Sequence, residues 1–451
     1  MDLDIGKKLI LNKKLTEALS FFLKELGNGN QTFRLYFFLG LTYFELNRIK
    51  ESIVYYKLSL KIEPKSINTI LNLAIANYVI GNFLSAKKLF LKVIKLDKQN
   101  LRAYYGLYQI NQNNLTLKII QELKEINKNN NLKQRYLIDY LLSKYEKKNE
   151  NYELEIKYLQ SFQKKCFDFK KDYNLQGLFY YNKIISRIYN KIIFKNQSNS
   201  KIILKNINPI FIIGLPRSGS TLIESMISAG EERVISLGET AIFNTEIFNQ
   251  FKNIIYKKDF NLETNQLHID IHDLKKKIFQ RYENYLIDKN QSEFFSDKSL
   301  ENFFNIEAIL KVFPNAKFIH TKRSYKDSAI AIYQSMLADL PWTHSISSIL
   351  NYIDNYIKII NYYEKKYPSK ILSINLENLT ENKEFYSKKI FEFCNLFWSP
   401  EILKFYKKKN MSVKTLSNSQ VREQIFRYNS IKYKPYFNLL SDFKDKYDWL
   451  V

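Results

Sequence analysis

The chain is poor in the residues that most often bridge a fold or bind metal. It has two cysteines, Cys166 and Cys394, among 451 residues. Two thiols so far apart in sequence exclude a disulfide framework and a cysteine metal site. There are four histidines, His268, His272, His320 and His344. Only the first two stand four residues apart, and their polar stretch offers no third ligand, so no metal site is expected. No apolar run approaches the ~18 residues that a membrane-spanning helix needs. The opening "MDLDIGKKLILNKKL" is acidic and then amphipathic, without the apolar core and cleavage site of a secretory signal. A reducing, cytoplasmic location is the simple expectation. Acidic residues are scarce too: 45 against 70 basic ones leave a net charge of +25. Such an excess suits an anionic partner. The lysines, however, are spread along the whole chain and gathered into no stripe. The chain is also crowded with Asn, Ile and Tyr and short of Gly and Pro, as AT-rich coding produces. Most of the charge therefore reads as composition, and no nucleic-acid partner is expected.

What the chain does have is length for two or three domains, and a repeat. Gly6, Gly40 and Ala74 are 34 residues apart, as are Ala18, Ser52 and Ala86, and Phe22, Tyr56 and Phe90. That is the period of the tetratricopeptide repeat, a pair of antiparallel helices. Small residues sit where the two helices press together, and the aromatic fills the gap between pairs. Pro64 falls at the helix-ending position between repeats. Residues 1–105 are read as a helical solenoid of this type. Residues 106–200 look helical but lose the register, as degenerate repeats or a helical extension, and the polar "KNQSNSK" at 195–201 marks a boundary.

From 205 the pattern alternates. "NPIFIIG", "AKFIHTKR" (316–323) and "KILSINLE" (370–377) read as short buried strands. "NFFNIEAILKVF" and "SILNYIDNYIKIINYYEKKY" read as helices. The alternation predicts a parallel sheet covered by helices, giving α+α/β for the whole chain. In such a sheet the ligand lies at the carboxyl ends of the strands. The stretch "FIIGLPRSGSTLIE" (211–224) lies at such an end. Gly214, four residues, and then Gly219, Ser220 and Thr221 make most of a phosphate-binding loop. A nucleoside triphosphatase would carry lysine after the second glycine; this chain has Ser220, and its cation is Arg217. The loop amides and the helix start suit an anion, and a planar guanidinium suits a tetrahedral oxyanion. A sulfuryl group, with one terminal charge and no need of Mg²⁺, fits better than a metal-bound triphosphate.

Further segments follow in order: "SLGET" with Glu239, "SDKSLENFF" with Lys298, "FPNAKFIHTKRSYKDSAIAIYQS" with Arg323, "LPW" at 340–342, and "LSNSQVREQIFRYNSIKYKPY" with Ser417 and Lys432. With these, residues 209–451 resemble the sulfotransferase superfamily, especially bacterial proteins that join tetratricopeptide repeats to a sulfotransferase domain and the tyrosylprotein sulfotransferases. "PRSGSTL" at 216–222 matches the 5′-phosphosulfate loop. The resemblance implies 3′-phosphoadenylyl sulfate (PAPS) as donor, a hydroxyl acceptor and no metal. It implies that Pro216, Arg217, Ser218, Gly219, Ser220 and Thr221 hold the 5′-phosphosulfate, Arg217 also serving the transfer. Glu239 becomes the base, Lys298 the group at the departing bridging oxygen, and Arg323 the 3′-phosphate ligand. Ser417 and Lys432 close over the donor. Eight residues after Arg323, Ala331 stands where the family has serine, which removes one hydrogen bond to a charged group, worth ~1.5–3 kcal/mol. Ser328, one turn earlier, is the substitute. Phe303, Phe304, Tyr333 and Trp342 are expected in the core. The acceptor stays open among protein, peptide, glycan and smaller hydroxyl compounds. The solenoid suggests a protein or peptide partner, and equally leaves homodimerisation open. The alternative class is a repeat-based binding or scaffold protein whose sulfotransferase domain has drifted out of activity.

Overall fold

The computed structural model describes residues 3–129, 133–195, 207–255, 267–286, 294–408 and 413–450. They form two compact units, one of residues 1–162 with 407–423 and the other of 163–406 with 424–451.

The first unit is built from antiparallel helix pairs. Asp4–Leu11 pairs with Leu15–Gly27, Phe33–Glu45 with Ile49–Ile62, and Ile67–Val79 with Phe83–Leu96. Leu101–Ile110, Leu117–Ile126 and Tyr136–Lys148 follow, and Tyr152–Phe169 continues beyond the division at 162. The 34-residue spacing has a direct packing meaning. A side chain added at Gly6 would lie 2.3 Å from the Phe22 ring, and one at Gly40 would lie 2.6 Å from Tyr56. Phe90 covers Gly106 in the same way, at 2.3 Å. Small residue and ring close the gap together, and Phe22, Tyr56 and Phe90 are all buried. Thr32 and Thr116 accept the first free amides of their helices, from Leu35 and Ile119, a local reason for helices to begin there.

The segment 413–423 belongs to this unit, although the sequence assigned it to the catalytic half. Val413 N donates to Val79 O at 3.1 Å. Asn418 Nδ2 donates to Tyr78 O at 2.7 Å, and Arg422 Nη2 to Val79 O at 3.0 Å. Carbonyls at the end of a helix lack intrahelical donors, and those of the Ile67–Val79 helix receive them from this distant stretch.

The second unit contains two sheets. Strands β1 (Ile192–Lys195) and β4 (Leu267–Asp270) make a parallel pair. The main sheet has five parallel strands in the order β3 (Val234–Ser236), β5 (Phe294–Asp297), β2 (Asn208–Gly214), β6 (Lys317–Lys322) and β7 (Ile371–Asn375). Strands β2, β6 and β7 stand where the sequence placed them; β3 and β5, three and four residues long, carried no readable run. β2 is central and buried from Pro209 to Gly214, as a strand covered on both faces must be. Its Phe211 pairs in register with Asp297 and Phe318 and stacks on the Phe318 ring at 5.6 Å. Phe303, Phe304, Tyr333 and Trp342 are buried, and Trp342 lies flat on Tyr352 at 3.6 Å. Next to the Trp342 turn, the long helix Ile346–Lys366 starts at Ser345, which accepts from Ser348 N.

The compact units divide inside a helix at 162, upstream of the boundary expected at 195–201, most of which lies outside the described residues. The cause is packing: Gln163 donates to Tyr333 O at 2.6 Å and Tyr181 to Glu301 at 2.8 Å, so 163–195 is tied to the sheet unit.

Candidate active site

Four strand ends converge in the second unit. The loop 214–220 follows β2, Glu239 follows β3, Lys298 follows β5 and Arg323 follows β6. Because all these strands are parallel, the four segments leave the sheet at the same edge.

The loop is shaped by its glycines. Gly214 has φ +145, and a side chain there would lie 2.4 Å from the carbonyl oxygen of Thr321. Gly219 has φ +94, and a side chain there would lie 2.6 Å from Leu376 Cδ1. Arg217 adopts φ +66, a left-handed conformation unusual for a residue with a side chain. Ser218 Oγ donates to Leu215 O at 2.6 Å and lies 2.7 Å from Thr321 Oγ1. Ser218 is therefore part of the loop's frame, anchored to β6, while Pro216 and Arg217 are partly exposed. Ser220 and Thr221 begin the helix Ser220–Gly230, with Gly219 at its cap. Gly219 at that cap brings no side-chain oxygen to the first amides of the helix, and amides at a helix start attract anions.

Lys298 is buried, and its Nζ donates to Glu239 Oε1 at 2.5 Å. Glu239 itself is about half exposed, so the pair joins the interior to the open edge. Backbone bonds hold both partners: Leu237 N donates to Ser296 O, and Lys298 N to Gly238 O. A second carboxylate, Glu224 on the helix after the loop, lies 3.7 Å from Lys298 Nζ and accepts from Ser236 at 2.9 Å. Burial works against the Lys298 ammonium, but Glu239 and Glu224 outweigh it and hold the lysine above its ordinary value. Burial pushes the Glu224 carboxyl up, opposed by Lys298. Behind the pair, Asp297 accepts from Thr240 at 2.5 Å, Tyr282 at 2.7 Å and Ser299 N at 2.8 Å. These bonds fix the turn that aims Lys298.

Arg323 is buried beyond β6. Its Nη2 donates to Asp327 O at 2.6 Å and its Nε to Ser328 Oγ at 3.3 Å. Ser328 thus orients the guanidinium. Two rings of the C-terminal segment cover the same group, Tyr433 at 5.1 Å and Tyr428 at 5.5 Å, and Tyr428 donates to Asp327 Oδ2 at 2.6 Å. Lys432 Nζ lies 5.1 Å from the Tyr433 ring and 5.8 Å from that of Tyr428. A cavity of about 420 Å³ adjoins this group, lined by Ser324, Asp327, Glu377, Arg427 and Tyr428 among others.

Of the residues singled out in the sequence, Arg217, Ser218, Gly219, Ser220, Thr221, Glu239, Lys298, Arg323, Ser328 and Lys432 all belong to this unit, and Ser417 belongs to the helical one. Glu224, Thr321, Asp297, Tyr428 and Tyr433 were not singled out from the sequence. Glu224 carried a weak signal, one helical turn after Ser220 on the helix that the loop begins. No group of three or more His, Cys, Asp or Glu that could hold a metal occurs among the described residues.

Residues 209–400 match the family model described as the sulfotransferase family. An uncharacterized protein of Aquifex aeolicus (strain VF5) is 30% identical over 242 residues, which are 52% of this chain and 31% of that protein. The alignment thus spans about a third of that relative's length. Among solved structures, sulfotransferase STF9 of Mycobacterium avium aligns at 12% identity over 54% of this chain and 78% of its own, with a TM-score of 0.33. The sulfotransferase domain of the Synechococcus PCC 7002 olefin synthase aligns at 17% identity over 55% of this chain and 98% of its own, with a TM-score of 0.32. A retinol dehydratase in complex with retinol and PAP aligns at 14% identity over 59% of this chain and 86% of its own, with a TM-score of 0.29. At such identities and scores the structural likeness is too slight to bear on activity.

Proposed function

We propose that the second unit transfers a sulfuryl group from PAPS to a hydroxyl acceptor. The observation that carries this reading is the Lys298–Glu239 pair at the strand end beside a phosphate-type loop whose cation is Arg217. The family match over 209–400 supports it. The loop amides and Arg217 hold the 5′-phosphosulfate. Glu239, half exposed, takes the proton from the acceptor oxygen, and a positioned base is typically worth ~10²–10⁴ in rate. Lys298 places a fixed positive charge where the departing bridging oxygen gains negative charge, in a buried site where such charge acts strongly. Arg323 and Lys432 hold the 3′-phosphate. The chain contributes position and preorganised charge, and the displacement needs no metal.

The helical unit is read as tetratricopeptide repeats that present a protein or peptide acceptor; tyrosine is the acceptor side chain that the resemblance favours. Homodimerisation through the repeats and a cytoplasmic location complete the proposal; no described helix is long and apolar enough to cross a membrane.

The test is thermal stability with adenosine 3′,5′-bisphosphate against Mg·ATP, for the wild type and Arg217→Ala. At ~100 times Kd a ligand of the folded state adds ~2.7 kcal/mol. The expected result is a shift with the bisphosphate, none with Mg·ATP, and loss of the shift in the variant. A chain that responds only to Mg·ATP is not a sulfotransferase. Glu239→Gln should retain the bisphosphate shift while turnover with PAPS falls ~10²–10⁴-fold; unchanged turnover removes Glu239 as base. Bisphosphate binding without turnover on any acceptor class supports the binding or scaffold alternative.

A further inference from the structure

The Tyr433 hydroxyl has no part in the reading above, yet two cations lie over its ring. The side chain is buried. Its ring lies 5.1 Å from the Arg323 guanidinium and 5.1 Å from the Lys432 ammonium. Burial alone would raise the phenol, but Arg323, Lys432 and Arg217 together hold it below its ordinary value. Arg217 belongs to the loop after β2, Arg323 to the end of β6 and Lys432 to the C-terminal segment. Arg323 and Lys432, from two separate parts of the unit, thus flank one buried phenol.

The surroundings are already arranged for Arg323 to be held still. Asp327 O and Ser328 Oγ accept from its Nη2 and Nε, and the Asp327 carboxylate is engaged by the Tyr428 hydroxyl. Ala331, three residues beyond Ser328 on the same helix, brings no hydroxyl. Tyr433 brings one, and a phenol among cations is a strengthened donor. A phosphate monoester seated against Arg323 and Lys432 needs donors for several oxygens, and hydrogen bonds to ionised acceptors are the strong ones.

We propose that Tyr433 is a specificity residue of the donor site, its hydroxyl donating to the nucleotide's second phosphate and so distinguishing a bisphosphate from a monophosphate. The inference rests on the sulfotransfer reading, whose donor carries that second phosphate. Tyr433→Phe keeps the ring over Arg323 and removes the hydroxyl. Adenosine 3′,5′-bisphosphate and adenosine 5′-monophosphate are titrated calorimetrically into the full-length wild type and variant. A hydrogen bond to a charged group is worth ~1.5–3 kcal/mol, so the bisphosphate Kd should rise ~10- to 100-fold while the monophosphate Kd stays within twofold. An equal loss for both nucleotides would show that Tyr433 only shapes the site, and no loss would show that its hydroxyl is idle; either overturns the proposal. If the wild type binds neither nucleotide, the sulfotransfer reading fails. The hydroxyl is then read with inorganic phosphate, which should stabilise the wild type against heat more than Tyr433→Phe. Equal stabilisation, or none in either protein, overturns it.

Discussion

Individual residues carry the pH behaviour of the second unit. His344 is buried, with Nδ1 donating to Gln163 Oε1 at 2.8 Å, and burial lowers its pKa from 6.5 to about 4. The unfolded chain therefore binds a proton between those values that the folded chain refuses. Stability must fall as pH drops through that window, by up to ~3 kcal/mol from this residue. Denaturant titrations at pH 7 and pH 4.5 should show the loss, and His344→Asn should reduce it; an unchanged difference means that other groups dominate. Lys298 makes the opposite kind of demand. Removing it in Lys298→Met leaves Glu224 buried without its cation, which typically costs ~3–5 kcal/mol. Lys298→Met should therefore melt well below the wild type, and the double variant with Glu224→Gln should recover part of the loss.

At the scale of elements, the two units are fixed by different geometric rules. The helix pairs depend on a ring filling the space left by a small residue. Tyr56, over Gly40, should cost ~3–5 kcal/mol on truncation to alanine, read as loss of helical ellipticity at lower temperature. A cost below ~1 kcal/mol would mean that the 34-residue register does not set the packing. The loop after β2 depends on backbone conformation instead. Gly214→Ala meets both a positive φ and the Thr321 carbonyl at 2.4 Å. Strain of this kind costs ~1–3 kcal/mol, and because the loop must shift, bisphosphate binding should be lost with it. A variant that retains full affinity would show that the loop does not hold the ligand.

For the whole molecule, the charge of +25 bears on how anions arrive rather than on where they bind. Affinity for the bisphosphate should fall as salt rises, since exposed charges are screened within ~8–10 Å at ordinary ionic strength. If the site's own cations cause this, replacing the exposed Lys57 and Lys88 of the helical unit by glutamine leaves the salt slope unchanged. A flattened slope in that variant would make the dispersed lysines functional and not merely compositional.

The sequence by itself determined what is written in neighbouring residues. Helix pairing follows from small and aromatic residues at a fixed period, and β2 from one apolar run ending in glycine. The turn after β2 follows from two glycines flanking Arg217, both at positive φ. Glu239, Lys298 and Arg323 were singled out because each stands in a short stretch resembling a known motif. Tertiary structure alone decided which distant groups meet. Strands β3 and β5 are too short to show a period, so nothing local announced that Glu239 and Lys298 end adjacent strands and pair. Glu224, Tyr428 and Tyr433 matter only because folding brings them to Lys298 and Arg323. The segment with Ser417 joined the helical unit because unpaired carbonyls at the end of the Ile67–Val79 helix accept its donors. Ion pairs and buried hydrogen bonds act over a few ångströms in space and leave no periodic trace along the chain.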